Sequence, residues 1–294
     1  MFEGIENGTI DIASNSGTNL PLQHIAEGQD LTIFAGYLLT GCMPVFAKVD
    51  TEWNGIEDLA GKTMACEPNM FAISGPLLDS GIDPLNDVTW YDPEDQDDRI
   101  KAVKEGKADY GLVGTQLNYA IDSDPELKIC AYASDILPDY SCCRVEASTE
   151  WVNNNPNTVK ALLRAWIRAM QYYESNHEES VSFICEVTGQ DEEVLRSHMD
   201  NPHFDINTDP MKTSVERAWD YLIRTGIFSS EANNIDLDEH INTELYKEAL
   251  DECQSKYGND APKFYEKMQS LYSACDQAGS ESEEDQQTDS DPEQ

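Results

Sequence analysis

The sequence has few basic residues and no long apolar segment, and both shortages exclude broad classes of protein. Its 294 residues include 19 Lys and Arg against 57 Asp and Glu, which gives a formal net charge of -38. Such a surface repels phosphate backbones and anionic lipids, so we expect no nucleic-acid binding. No run of about 20 apolar residues occurs, so the sequence predicts no transmembrane helix.

Targeting features are also missing from the two ends of the sequence. The opening residues, MFEGIENGTIDIA, have neither the basic region nor the apolar region of a signal peptide. The chain is therefore either cytosolic or lacks its true start. The segment 279–294, GSESEEDQQTDSDPEQ, contains no apolar residue, so we expect a disordered acidic tail.

The eight cysteines do not form a metal-binding pattern. They are Cys42, Cys66, Cys130, Cys142, Cys143, Cys185, Cys253 and Cys275. No CxxC pair and no paired Cys/His spacing occurs among them. Two interpretations stay open: small buried apolar side chains, or one or two disulfides.

Short apolar runs alternate with helix-like segments over the first two-thirds of the chain. The predicted strands are 10–13, 31–35, 44–48, 63–66, 88–91, 110–113, 129–132 and 142–147. The predicted helices between them are 20–27, 71–80, 96–105 and 116–123. This alternation is typical of an α/β fold with mostly parallel, doubly wound sheets.

From residue 151 onward the pattern is helical. The predicted helices are 157–176, 178–188, 191–199, 211–225, 243–257 and 261–275. Residues 157–176 carry an apolar stripe at three- and four-residue spacing. Gly189 and Gly226 stand where helix C-caps belong.

One segment of the sequence is echoed about 98 residues later. Residues 7–20 read NGTIDIASNSGTNL and residues 105–117 read EGKADYGLVGTQL. Each has Gly-x-x-Asp, a short strand and then Gly-Thr-x-Leu at the start of a helix. The repeat indicates two similar α/β lobes, and loops at the carboxyl ends of such strands line a ligand crevice. Gly17 and Gly114 are otherwise ordinary turn glycines.

Four segments, in order, resemble the type II periplasmic binding proteins. They are ENGTIDIASNSG near the start, GIEDLAGKTMA at 55–65, the helix WVNNNPNTVKALLRAWIRAMQYYESNHEES at 151–180, and YLIRTGIF at 221–228. The chain is most similar to the group that binds aliphatic sulfonates, taurine, nitrate and the thiamine pyrimidine precursor.

The resemblance implies a two-lobed α/β fold of the periplasmic-binding-protein type II kind with a helical C-terminal region. Lobe one would comprise residues 1–49 and 139–278, and lobe two residues 50–138, with crossovers near 48–53 and 138–147. The family's first βα unit, with any signal segment or lipid-attachment cysteine, is expected to be missing. The sheet of lobe one should then leave a strand position unfilled beside 10–13.

The function implied by the resemblance is solute capture for an ABC importer. Such a protein is extracytoplasmic, in the periplasm or lipid-anchored, and acts as a monomer that delivers a small organic or anionic solute to the permease subunits. It is not an enzyme and needs no cofactor or metal. The alternative is a pyrimidine-precursor synthase of the same fold, which uses pyridoxal phosphate. That enzyme's CCCFC-type motif is absent, since the chain has SCCRV at 141–145.

The resemblance also places the ligand-facing loops at 14–18, 40–43, 68–72, 113–115 and 140–144. The polar groups of these loops suit a polar ligand. The candidate ligand-binding residues are Ser14, Asn15, Ser16, Thr18, Gly41, Cys42, Asn69, Met70, Gly114, Thr115 and Arg144.

Two of these candidates have alternative interpretations. Asn69 either binds the ligand or caps the helix that starts near Met70. Arg144 either holds an anionic group of the ligand bidentately or pairs with one of the many acidic residues.

Overall fold

The computed structural model describes residues 1–93 and 95–276, and for Asn15 the main chain only. The predicted acidic tail at 279–294 lies outside the described residues. The strands are β1 (Ile12–Gly17), β2 (Leu31–Thr40), β3 (Pro44–Lys48), β4 (Thr63–Ala65), β5 (Thr89–Trp90), β6 (Tyr110–Leu112), β7 (Leu127–Tyr132), β8 (Cys143–Ser148) and β9 (Asp205–Ile206).

Helices make up most of the remaining chain. They are α1 (Phe2–Glu6), α2 (Asn19–Ala26), α3 (Phe71–Asp79), α4 (Gln96–Glu105), α5 (Asn118–Asp122), α6 (Ala133–Ile136), α7 (Thr149–Asn154), α8 (Pro156–Ser175), α9 (His177–Thr188), α10 (Glu192–Met199), α11 (Lys212–Arg224), α12 (Glu244–Tyr257) and α13 (Pro262–Cys275). Short 3₁₀ helices lie at Ile56–Leu59, Thr115–Leu117, Ser230–Asn234 and Leu237–His240. None of the described helices is both long and apolar enough to span a bilayer.

The strands form two separate sheets, one in each lobe, as the α/β prediction requires. The first has the order β1-β8-β2-β9 and the second the order β5-β4-β6-β3-β7. The chain passes from the first sheet to the second across residues 41–43 and returns across 137–142. Strand β3 already pairs with β6 and β7, so the chain enters the second sheet before the predicted crossover at 48–53.

The predicted parallel pairing is correct for only one sheet. In the second sheet β3 runs antiparallel to both neighbours and the other four strands share one direction. In the first sheet every hydrogen-bonded pair is antiparallel, so the expectation of a parallel sheet is wrong there. The reason is that β8 returns from the second lobe and inserts between β1 and β2. Strand β1 forms one edge of this sheet, and the unfilled strand position expected beside it stays a prediction.

The sequence echo corresponds to two equivalent turns. Gly8 follows α1 with φ of 73°, and Gly106 caps α4 with φ of 74°. In this left-handed region a Cβ would be strained, which explains glycine at both positions. A strand follows each turn, and then a helical segment that opens after Thr18 in one copy and at Thr115 in the other.

The two lobes share one hydrophobic core. It includes Ile33 of the first sheet, Leu112 of the second and the facing sides of α3 and α11. Gly75 of α3 lies directly against the ring of Tyr221 of α11, and the Tyr221 hydroxyl donates to Asp79 Oδ2 at 2.5 Å. The two lobes therefore contact each other through apolar side chains of α3 and α11.

Adding a methyl group at Gly75 should therefore destabilise the protein. We expect Gly75→Ala to lower the free energy of unfolding by about 1–3 kcal/mol, because the new Cβ overlaps the Tyr221 ring and the hydroxyl bond to Asp79 holds that ring in place. Urea denaturation measures the loss. In the double variant with Tyr221→Ala, the total loss of unfolding free energy should be smaller than the sum of the losses in the two single variants. A total equal to that sum would contradict the proposed overlap.

Candidate functional site

Residues 14–17 of the predicted loop 14–18 belong to strand β1, and Thr18 forms the turn that follows. The chain bulges between Ser14 and Ser16, so these side chains do not share a face of β1 as i and i+2 residues normally do. Ser14 is exposed, whereas Ser16 is buried and donates to Glu146 Oε1 at 2.6 Å. Thr18 is also buried, and its Oγ1 donates to the carbonyl of Ser141 at 2.5 Å. The side chain of the fourth candidate here, Asn15, lies outside the described part of the chain.

The first crossover contacts both lobes. A Cβ on Gly41 would lie 2.8 Å from Cys142 Sγ and 2.9 Å from Thr115 Oγ1, so only glycine fits without displacement. The next residue, Cys42, is fully buried, and its sulfur accepts from Asn118 Nδ2 at 3.0 Å. Burial raises the pKa of the Cys42 thiol to about 11, and hydrogen bonds with Thr115 and Asn118 oppose that rise. The group is therefore a neutral thiol at physiological pH.

Tyr140 joins the two lobes through sulfur contacts. Its hydroxyl lies 3.6 Å from the sulfurs of both Met43 and Met70, and its ring lies 5.2 Å from that of Phe71. Burial raises the pKa of Tyr140 well above its usual value, so the hydroxyl keeps its proton. Thioether sulfur is a weak acceptor. The Tyr140 hydroxyl can therefore make a stronger hydrogen bond to a ligand oxygen or nitrogen than to these sulfurs.

Asn69 bridges the lobes rather than capping a helix. The N-cap of α3 is Met70, with no side-chain hydrogen bond. Asn69 Oδ1 instead accepts from Asn19 Nδ2 at 3.0 Å, and Asn69 Nδ2 donates to Gln23 Oε1 at 3.3 Å. The capping interpretation is therefore wrong, and the partners of Asn69 lie on α2 of lobe one, directly after the predicted segment 14–18.

Arg144 is used inside lobe one. It is fully buried, with Nη1 donating to the carbonyls of Asp209 at 3.0 Å and Pro210 at 2.8 Å, and Nη2 donating to the carbonyl of Leu38 at 2.7 Å. Burial lowers the pKa of Arg144. Neither sequence interpretation describes this arrangement, because its three acceptors are main-chain oxygens.

The remaining candidate, Gly114, also makes a main-chain contact. It is half-buried, and its N–H donates to Gln96 Oε1 at 2.7 Å. All eight cysteines are free thiols in this structure. The sulfurs of Cys142 and Cys143 lie 3.5 Å apart.

Sequence reasoning missed two buried polar atoms in this region. Asn118 Oδ1 and Ser141 Oγ have no hydrogen-bond partner among the described residues. Buried polar atoms normally have a hydrogen-bond partner, so both atoms depart from the usual pattern. Asn118 carried no signal in the sequence, because it lies one helical turn beyond the Gly-Thr pair of the repeat.

These contacts define the interlobe site, which draws its residues from both lobes and the crossover. Its side chains are amides, hydroxyls and a thiol, all neutral. They can donate and accept hydrogen bonds, so the arrangement is suited to binding a polar molecule. The interlobe site consists of Asn19, Cys42, Asn69, Thr115, Asn118, Tyr140 and Ser141.

Known proteins share this architecture. A family model described as NMT1/THI5 like matches residues 2–180. The aliphatic sulphonate binding protein SsuA from Escherichia coli is similar, with 17% identity, a TM-score of 0.66, and coverage of 82% of this chain and 78% of that one. The nitrate-binding protein NrtA from Synechocystis PCC 6803 is also similar, with 17% identity, a TM-score of 0.64, and coverage of 82% and 74%.

The same fold also occurs in an enzyme. The desulfurization enzyme DSZB has 12% identity, a TM-score of 0.56, and coverage of 82% of this chain and 85% of that one. No curated protein sequence matches the chain. At these identities the similarity establishes the two-lobed fold, and the choice between binding and catalysis depends on the site itself.

Proposed function

We propose that this chain, which belongs to the NMT1/THI5-like family, is the solute-binding component of an ABC importer. The interlobe site would hold one small solute and close around it by motion of the lobes. A ligand stabilises the closed form only through contacts that it makes better there than in the open form. Both lobes must therefore supply contacts, as the interlobe site does.

The unpartnered oxygen of Asn118 carries this proposal. The residue is almost fully buried in lobe two, and its amide nitrogen is held by the crossover residue Cys42. The amide oxygen Oδ1 of Asn118 has no hydrogen-bond donor among the described residues. A solute with an N–H or O–H group would satisfy it.

The charge of the site favours a neutral solute. Its side chains are uncharged, and the nearby guanidinium of Arg144 is already bound by carbonyls of lobe one. An anion would be desolvated without a paired cation, which is unfavourable. We therefore propose a neutral polar organic molecule rather than a sulfonate or nitrate, although SsuA and NrtA are named for those ligands.

The cellular role follows from the same proposal. The partners would be the transmembrane permease subunits of the importer, and the protein would act as a monomer outside the cytoplasm, free or lipid-anchored. The interlobe site offers no lysine amine for a pyridoxal phosphate adduct, so we do not propose the synthase reaction for it.

A thermal-shift screen tests the ligand class. The full-length protein is heated with aminopyrimidines, alkanesulfonates, nitrate and aromatic acids in turn. A bound ligand stabilises by mass action, by about 2.7 kcal/mol at a hundredfold excess over its dissociation constant. We expect the neutral heterocycles to raise the melting temperature. Stabilisation by sulfonates or nitrate alone would contradict the neutral class.

Variants of the interlobe site then test its position. Asn118→Ala and Tyr140→Phe should each weaken binding of the stabilising ligand about tenfold, because each removes one buried hydrogen bond. Isothermal titration calorimetry measures the change. Gln116→Ala is the matched control, since Gln116 is exposed beside the same helix, and it should bind as the parent does. Unchanged affinity in both site variants would place the ligand elsewhere.

A further inference from the structure

A cavity lies between the first sheet and helices α8 and α9, with a volume of about 670 Å³. It shares no lining residue with the interlobe site. We propose that this cavity binds an organic cation that carries an alkylated ammonium group. Its volume is within the usual range of small-molecule sites.

Aromatic side chains dominate the wall of this cavity. Tyr37 comes from β2, Trp166, Tyr172 and Tyr173 from α8, and Phe183 from α9. The face of an aromatic ring carries negative potential and attracts an ammonium group. A set of rings drawn from three elements can therefore surround such a group.

Three of these rings are unusually exposed. Phe183 is 63% exposed, Tyr172 49% and Tyr37 43%. Large aromatic side chains exposed together around one cavity are typical of a binding surface, whereas scattered single ones are not. A ligand seated between them would cover apolar area that water now contacts.

The charge of the cavity selects the sign of the ligand. The charged side chain in its lining is the carboxylate of Glu179. This places a negative group beside the rings, and the whole chain carries a formal charge of -38. A cation is therefore attracted by the rings, by the carboxylate and by the long-range field, while an anion is repelled.

A pair of isosteric probes tests the charge requirement. Choline and its uncharged carbon analogue 3,3-dimethylbutan-1-ol have the same shape and differ by one positive charge. Calorimetric titration of the full chain should give saturable choline binding, with the alcohol at least about tenfold weaker. Equal affinity for both probes, or no binding of choline, would overturn the proposal.

Matched variants locate the binding. Phe183→Ala and Glu179→Gln should each weaken choline binding about fivefold. Val187→Ala and Glu186→Gln make the same kinds of change at exposed positions of α9 outside the cavity lining, and both should bind choline as the parent does. Cation binding that depends only on net charge would instead weaken equally in both glutamate variants.

The two sites are separable in this experiment. Asn118→Ala lies in the interlobe site and should leave choline affinity unchanged. A loss of choline binding in that variant would place the cation between the lobes, which would overturn the second site and also contradict the neutral ligand class proposed for the interlobe site.

Discussion

Replacing Arg144 by alanine should lower the free energy of unfolding by about 3–5 kcal/mol. The guanidinium is fully buried and donates to three main-chain carbonyls, those of Leu38, Asp209 and Pro210. Without it, these acceptors lose their partners inside lobe one. The buried carboxyls of Asp209 and Glu146 also lose the positive charge that favours their ionised forms.

The lysine variant separates charge from geometry. Arg144→Lys keeps the positive charge, but a single ammonium group cannot reach all three carbonyls as the planar guanidinium does. We expect a smaller loss than for alanine, measured by urea denaturation followed by tryptophan fluorescence. An alanine variant with unchanged stability but weaker ligand binding would instead support the sequence-based hypothesis that Arg144 binds an anionic group of the ligand.

Replacing Glu146 by glutamine should stabilise the protein at alkaline pH. Glu146 is buried in β8, and this burial raises its pKa from 4.5 to about 8, although the hydrogen bond from Ser16 opposes the rise. Between about pH 4.5 and pH 8 the folded protein holds a proton here that the unfolded chain has lost. Raising the pH through this window therefore favours unfolding, and the stability contributed by this proton is lost.

The size of the Glu146 effect follows from the difference between the two pKa values. At about 1.4 kcal/mol per pH unit, Glu146→Gln should exceed the parent by about 3–5 kcal/mol above pH 8 and match it below pH 4.5. Glutamine keeps the acceptor for Ser16. Urea denaturation at intervals from pH 4 to pH 9 measures the difference.

The stability of the Glu146→Gln variant should still depend partly on pH, because other buried carboxyls also have raised pKa values. Burial raises the pKa of Asp209 well above its usual value, and burial also raises that of Asp276 beside it. Glu186→Gln, on the exposed face of α9, is the control and should follow the parent at every pH. A constant difference between Glu146→Gln and the parent across the whole range would mean that Glu146 is ionised in the folded protein.

Several of the candidate site residues lie near the contact between the lobes, but their individual roles differ from the sequence-based hypotheses. Cys42, Asn69 and Thr115 meet at the interlobe site, as does Met70 through its sulfur. Ser16 and Arg144 make their contacts within lobe one instead. A bulge in β1 and the insertion of β8 decide their directions, and neither leaves a pattern in the sequence.

The sequence by itself determined most of the elements, and its internal repeat, with the family resemblance, indicated the two lobes. Apolar runs and helical periodicity are local properties, so all eight predicted strands exist, and β3 and α4 have the predicted bounds. Only the tertiary structure decided how these elements meet. The antiparallel position of β8, the Asn19–Asn69 contact and the buried oxygen of Asn118 depend on residues about 50 or more positions apart. Such contacts depend on the packing of the whole chain, and no local pattern encodes them.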